Sequence, residues 1–172
     1  MNPSEKVISD FEKITREFQG VLSTFTQEQI NEIPFEGSWT PGKVGRHVYK
    51  ALVNMPRTLQ GPVTETERKP DELVEPIDKI FLDFTIRLHS PAFIIPEDKD
   101  YDKLELVDGF QEKIREIVDT AKPLDLSATT GFELPKFGRL TRLELIHFAG
   151  VHTQRHIRQL KKIREHLTAT AS

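Results

Sequence analysis

Apolar side chains recur along most of this chain at spacings of three and four residues, which places them on one face of an α-helix. The first such face consists of Val7, Ile8, Phe11, Ile14, Phe18, Val21 and Leu22. We find no strand-like alternation of apolar and polar residues in any segment. The pattern therefore predicts an all-α protein, a helical bundle of four long amphipathic helices with additional short helices.

Capping residues mark where several of these helices begin. Asn2 stands before the first periodic segment, and Glu5 occupies the reciprocal position of a capping box. Thr40 is a predicted N-cap that is followed by proline, a residue favoured in the first helical turn. Thr141 and Glu144 form a second predicted capping box at the start of the last helix.

Periodicity and caps together predict the bounds of the helical segments. Two predicted helices begin at Pro3 and at about Thr26. The other predicted helices span Thr40 to Pro56, about Glu72 to His89, about Leu104 to Ala121, and Thr141 to about Leu167. A polar linker over 64–71 and a loop over 127–139 separate them. A chain of 172 residues has the length of one domain, so we expect residues 1–172 to form a single domain.

Composition excludes several classes of function. The formal net charge is −3, which gives no electrostatic case for nucleic acid or an anionic membrane. No segment approaches the length of about 18 apolar residues that a membrane-spanning helix needs, and the first residues lack the layout of a signal peptide. The chain has no cysteine, which excludes disulfides, thiolate metal ligands and a cysteine nucleophile and favours the reducing cytoplasm. Metal or acid–base chemistry must therefore depend on the six histidines or on carboxylates.

Two histidines share the inner face of the last helix. His156 lies one turn after His152, about 40° away around the helix axis, and apolar residues surround that direction. Two imidazoles at this spacing can bind one metal ion. They can equally be core-facing histidines whose ring nitrogens are satisfied by hydrogen bonds, and the pair alone leaves both interpretations open.

The other histidines differ in position. His147 lies about 140° from His152 around the helix and is expected to face solvent, whereas His166 shares the inner face but lies about 21 Å further along the axis. His89 is interpreted as a helix C-terminal residue that interacts with the helix dipole. His47 lies on the flank of the apolar stripe of the second long helix, where it is either a third ligand or a boundary histidine bonded to a neighbour.

Three segments carry a resemblance to a known family. Residues 39–47 (WTPGKVGRH), 135–144 (PKFGRLTRLE) and 152–160 (HTQRHIRQL) resemble, in order, motifs of the DinB/YfiT-like superfamily. The resemblance covers most of the chain. It implies a four-helix bundle of up-down-down-up type, a possible homodimer pairing, and a three-histidine metal site whose ligands here would be His47, His152 and His156.

Several residues near these histidines are candidates for supporting roles. Gln159 could hydrogen-bond a ligand or substrate, or be a polar residue near the end of the bundle. Arg155 and Arg46 could line a channel for an anionic substrate, or be solvated surface residues. Trp39 is interpreted as a hydrophobic plug in preference to a ligand contact. Asp83 is a candidate either for a general base or for a residue that hydrogen-bonds a ligand.

Two alternative functions stay open, and the resemblance implies the first of them. The first is a metal-dependent enzyme, either a hydrolase or a transferase that activates a low-molecular-weight thiol, since such proteins include bacillithiol-dependent S-transferases and a mycothiol-dependent maleylpyruvate isomerase. Its cofactor would be Zn²⁺ or Ni²⁺, the ions that suit imidazole best, and its partner a small-molecule substrate. The second is a non-catalytic, metal-stabilised, dimeric helical-bundle module. No residue of the sequence is assigned a catalytic role.

Overall fold

The computed structural model describes residues 1–170, and these are mostly helical, as the periodicity predicts. The helices are α1 (Pro3–Ser23), α2 (Gln27–Ile30), α3 (Pro41–Leu52), α4 (Met55–Gln60), α5 (Val74–Phe81), α6 (Lys103–Ala121) and α7 (Arg142–Thr170). A single 3₁₀ turn spans Ala92–Ile94, and a hairpin is formed by β1 (Thr129–Leu134) and β2 (Gly138–Thr141). Along residues 1–170 no helix is long and apolar enough to cross a membrane.

The predicted caps are present. The Asn2 side chain accepts a hydrogen bond from the Glu5 amide at 2.9 Å, and the Glu5 carboxylate accepts one from the Asn2 amide at 3.1 Å. The same reciprocal pair joins Thr141 and Glu144 at the start of α7, with distances of 2.9 and 3.1 Å. Thr40 accepts from the amide of Lys43 at the start of α3. These bonds satisfy amides that have no partner inside a helix, which explains why the helices begin where the sequence indicates.

One hydrophobic core joins the helices. Helix α1 packs against α6 and α7, and α3 packs against the same two helices. Every α-helix contributes at least one buried side chain to the core, for example Phe18, Ile30, Val48, Leu59, Ile77, Ile114 and Leu160. The predicted up-down-down-up order of a four-helix bundle stays a prediction.

The predicted helix over 72–89 is wrong in its second half, because α5 ends at Phe81. The carbonyl groups of Phe81, Asp83 and Ile86 accept hydrogen bonds from the Arg155 guanidinium, and the Asp83 carbonyl also accepts one from the amide of Ile86, as in a turn. The Asp83 carboxylate bonds the amide of Thr85, a local turn that competes with helix.

Two further predictions about this region change with it. Phe84 and Leu88, which the periodicity assigns to a buried face, are 41% and 36% exposed. His89 lies in an irregular segment and is exposed, so it does not end a helix. Apolar spacing was misleading here because it does not include the contacts of Arg155 on α7 with the main-chain carbonyls of this segment.

The prediction that strands are absent is also wrong. β1 and β2 pair antiparallel within the segment expected to be a loop, with Glu133 opposite Arg139 and an irregularity in the register towards Thr129. Thr64 adds an isolated bridge to Thr129. The turn needs left-handed backbone at Lys136 and Gly138 (φ 74° and 83°). The hairpin is short and irregular, so its side chains do not alternate clearly between apolar and polar.

The second long helix is interrupted earlier than predicted. α3 ends at Leu52, and α4 begins at Met55 with Pro56 as its second residue, a position that proline tolerates. The polar segment that follows is tied down, since the Arg68 guanidinium bonds the buried Glu144 carboxylate at 2.5 and 2.8 Å. The hairpin and this segment therefore converge on the start of α7, the helix that carries two of the candidate ligands.

Candidate metal centre

Three imidazoles from two helices converge on one point. Nε2 of His47 on α3 lies 3.3 Å from Nε2 of His152 and 3.0 Å from Nε2 of His156, both on α7. The three candidate ligand atoms all lie within 4.8 Å of one another. Nitrogen ligands at about 2.1 Å around a tetrahedral zinc ion are separated by about 3.4 Å, so the group has the size of a metal site.

The packing of α3 against α7 makes this convergence possible. Val44 and Val48 are fully buried on either side of His47, which is itself only 1% exposed. The sequence placed His47 at the boundary of its apolar stripe, and the structure places it in the interior. Trp39 covers the His47 ring from the start of α3, with the two ring centroids 5.0 Å apart.

In two of the three rings, the hydrogen-bond partner of Nδ1 determines which ring nitrogen carries the hydrogen. Nδ1 of His47 lies 2.8 Å from the carbonyl oxygen of Ile94, and Nδ1 of His156 lies 2.7 Å from Oε1 of Gln159. Both oxygens accept hydrogen bonds, so each Nδ1 is the protonated donor and each Nε2 presents a lone pair. Two lone pairs therefore face each other at 3.0 Å, an arrangement that a bound cation stabilises.

The environment favours neutral imidazoles. Burial lowers the pKa of His47, and the hydrogen bond to Ile94 opposes this only in part. Burial is also the largest cause that lowers the pKa of His156 to about 3, followed by the nearby His47 ring. The pKa of His152 lies well below its usual value because of burial and the two neighbouring imidazoles. Neutral imidazole is the form that binds a metal ion, so the residues present fit one.

The three candidate ligands differ in burial. His47 is buried, whereas His152 and His156 are half-buried on the face of α7. Within the described residues the ligand group contains no carboxylate. Three protein ligands are typical of a catalytic site, because structural zinc sites generally have four.

Comparison with known proteins identifies the family. The family model of the DinB superfamily matches residues 10–160. This chain belongs to the DinB superfamily. It is also 24% identical over 166 residues to the uncharacterized protein YuaE of Bacillus subtilis (strain 168), an alignment that covers 92% of this chain and 97% of YuaE. No solved structure matches the chain.

The supporting residues of this DinB-superfamily chain have different surroundings. Gln159 contacts a candidate ligand directly, as described above, and Trp39 packs on His47. Arg155 donates to three main-chain carbonyls at 2.7 to 3.1 Å, and burial lowers its pKa. Asp83, which is hydrogen-bonded to Thr85, has a lowered pKa for that reason and is not part of the histidine group.

The remaining histidines lie outside the group. His147, expected to face solvent, is half-buried, and its Nε2 lies 2.6 Å from Oδ1 of Asp78 on α5. His166, expected on the inner face, is exposed and packs on the Phe35 ring at 4.7 Å between centroids. A simple helical wheel missed both because it contains neither α5 nor the segment before Trp39.

Sequence reasoning also missed the segment that supports His47. Residues 91–101, which we call the strap, cross α3 and place the Ile94 carbonyl at the His47 ring. Arg46 bonds the Glu97 carboxylate at 3.1 and 3.3 Å, and Lys50 bonds both Glu97 and the carbonyl of Ile95. A main-chain carbonyl has no signature in the sequence, so Ile94 could not have been found. The basic residues Arg46 and Lys50 and the acidic residues of the strap have opposite charges. This pattern in the sequence could have indicated that the strap contacts α3.

Proposed function

We propose that this chain is a metal-dependent enzyme with a mononuclear site formed by His47, His152 and His156. The observation that carries the proposal is the pair of Nε2 lone pairs that face each other at 3.0 Å while their rings donate from Nδ1 to oxygen acceptors. Zn²⁺ and Ni²⁺ are the ions we propose, because an all-imidazole ligand set suits them.

The set of only three protein ligands favours an enzyme over a non-catalytic, metal-stabilised dimeric module. A purely structural ion is best held by a closed set of four protein ligands, and this group has three. Both half-buried histidines lie on α7, and we propose that a small molecule approaches the group from that side. We therefore propose a small-molecule substrate.

The chain's own residues hold the ligands rather than carry out a proton transfer. Ile94 and Gln159 fix the rings of His47 and His156 in the tautomer that directs Nε2 to the centre. When bound, the ion supplies Lewis acidity, which favours the deprotonated form of a water molecule or a thiol near neutral pH. We propose a hydrolase or a transferase that activates a low-molecular-weight thiol. Because the chain has no cysteine, any reacting thiol arrives with the substrate.

A paired activity screen tests this proposal. The zinc- and nickel-loaded proteins are assayed for hydrolysis of esters and amides, and for transfer of low-molecular-weight thiols to electrophiles. We expect turnover that His152→Ala lowers by at least about a hundredfold, since it removes a ligand. His166→Ala is the matched control, because His166 lies on the same helix, outside the group, and should leave turnover unchanged.

Two results would contradict the enzyme. Turnover that survives His152→Ala would place the reaction elsewhere. Stoichiometric metal binding without turnover in either screen would favour the dimeric module, and sedimentation would then show a dimer that depends on the metal.

A further inference from the structure

The half-buried His152 of the histidine group adjoins a set of aromatic rings. Phe148 lies one helical turn before His152, and the centroids of the two rings are 6.1 Å apart. Phe148 in turn meets Phe81 of α5 edge-on at 4.9 Å and stacks with Phe132 of β1 at 6.1 Å. We call these three phenylalanines the aromatic shelf. All three are half-buried, as is the His152 ring beside them.

The charged groups that border the site already have partners within the chain. The Arg155 guanidinium, one turn beyond the His152 ring, is bonded to three main-chain carbonyls. Arg46, next to His47, pairs with Glu97. Beside the shelf, His147 pairs with Asp78. These contacts engage donors of both arginines within the chain, which favours a neutral substrate. The anion channel that their position in the sequence suggested stays a prediction.

The shelf packs against the hydrophobic core and also reaches the histidine group. Its rings come from three separate elements, α5, β1 and α7, and they meet beside the half-buried His152. Sites for small molecules are mostly apolar and aromatic, with a few polar groups that fix orientation. Here the polar group is the metal centre, and the apolar lining is continuous with it through Phe148.

We propose that the aromatic shelf binds an aryl or similarly flat apolar group of a neutral substrate whose reacting group lies at the three histidines. This inference rests on the proposed function, since it names the class of substrate for the same site. The 6.1 Å between the Phe148 and His152 rings allows an aryl group attached directly, or through a short linker, to the reacting group. Edge and stacking contacts with the three rings would favour aryl over alkyl groups.

Two metal-chelating probes test the shelf. Benzohydroxamate and acetohydroxamate carry the same chelating group and differ in a phenyl against a methyl group. Their dissociation constants are measured by calorimetry on the zinc-loaded wild type, Phe148→Ala, Phe81→Ala and Phe137→Ala, and their affinities for free zinc are measured in the same buffer. Phe137 is a half-buried phenylalanine at the turn of the same hairpin and has no ring contact with the shelf within residues 1–170.

The preference is the ratio of the affinity for benzohydroxamate to the affinity for acetohydroxamate. We expect this ratio to be about tenfold higher for the wild type than for free zinc. Phe148→Ala should remove most of that preference and Phe81→Ala part of it, whereas Phe137→Ala should keep it. Phe148→Leu, which keeps the apolar volume, replaces the alanine variant if that variant does not fold. It should lower the preference while leaving the affinity for acetohydroxamate unchanged.

The outcomes separate this inference from the proposed function. If both hydroxamates bind and the wild type shows no extra preference for benzohydroxamate, the shelf does not bind the aryl group. The same conclusion follows if Phe148→Ala and Phe81→Ala both keep the preference. In either case the proposed metal site is unaffected. If neither probe binds the zinc-loaded protein, the ion has no coordination position that a ligand can reach, and the inference about the shelf is rejected as well. If the protein retains no zinc, the proposed function itself fails.

Discussion

At the scale of single residues, the tautomers of two imidazoles decide what the site can do. A carbonyl behind His47 and an amide oxygen behind His156 make each Nδ1 a donor, which leaves each Nε2 as a ligand atom. Helical phase was enough to predict that His152 and His156 share a face. It was also enough to place Gln159 one turn beyond His156. It could not predict the Ile94 carbonyl, because the strap reaches α3 from a distant part of the sequence.

Replacement of Gln159 tests the tautomer directly. We expect Gln159→Ala to weaken zinc binding by about 10- to 100-fold, because the His156 ring loses the acceptor that orients it. The stability of the metal-free protein should change little. Competition with a chromogenic chelator measures the affinity. Gln154→Ala is the matched control, since Gln154 lies about 200° around α7 from His152. Equal affinities for the two variants would show that the Gln159 contact does not orient the ligand.

The Glu97 carboxylate provides a pH-dependent test of the strap. Hydrogen bonds from Arg46, the largest cause, hold the pKa of Glu97 below its usual value of 4.5. Its contribution to stability is therefore fully present above about pH 4.5 and is lost as the pH falls from there towards the lower folded pKa. Because the side chain is 44% exposed, we expect Glu97→Gln to cost less than about 1 kcal/mol at pH 7.

Denaturant unfolding between pH 3 and 7 measures this effect. The difference between Glu97→Gln and the wild type should shrink as the pH falls below about 4.5. Asp98→Asn is the neighbouring control, because Asp98 is 96% exposed in its pair with Lys43 and should change stability less. A difference that grows on acidification would contradict the assigned ion pair.

At the scale of elements, the structure differs in two places from the one that local sequence signals predict, because tertiary contacts or a turn determine it there. The caps and periodicity of α1, α6 and α7 are strong, and the sequence predicted these helices closely. The segment after α5 has helical spacing, but its carbonyls bond Arg155, a contact that depends on α7 and has no local signature. The hairpin is specified mainly by its turn, where Gly138 has a φ of 83°.

Glycine replacements in the hairpin test that turn. We expect Gly138→Ala to lower the free energy of unfolding by about 1 to 2 kcal/mol, because an L-residue is strained in left-handed backbone. The cost is conformational, since a Cβ at Gly138 would meet no atom within 4 Å. Gly131→Ala is the control: Gly131 lies in β1, has the same free space and has no positive φ. Chemical denaturation should leave Gly131→Ala within about 0.5 kcal/mol of the wild type, and equal losses for both would contradict the turn assignment.

At the scale of the whole molecule, the metal centre links two helices that also form part of the core. The sequence predicted the fold class and the three histidines, the latter with the help of the family resemblance. It could not predict how α3 and α7 approach each other, and that approach buries His47 and brings it to the α7 pair. An ion bound by both helices would stabilise the folded chain, because the unfolded chain does not hold the three rings together.

Metal-linked stability follows from this arrangement. With free zinc at a hundred times its dissociation constant, we expect the free energy of unfolding to rise by about 2.7 kcal/mol. Calorimetry with and without zinc measures the gain. His156→Ala should lose most of it, and His89→Ala, which alters an exposed histidine outside the group, should keep it. A zinc-induced gain that His156→Ala retains would show that the metal acts elsewhere.

The central claim is that His47, His152 and His156 together bind one metal ion. The most direct measurement is the metal content, by mass spectrometry, of zinc- or nickel-supplemented and dialysed wild type, His47→Ala, His152→Ala, His156→Ala and the control His166→Ala, each checked for folding by circular dichroism. We predict one ion per chain in the wild type and the control, and strongly reduced content in the three ligand variants. A metal content below about a tenth of an equivalent in the folded wild type, or full metal content in all three ligand variants, would show that these histidines do not bind the ion together.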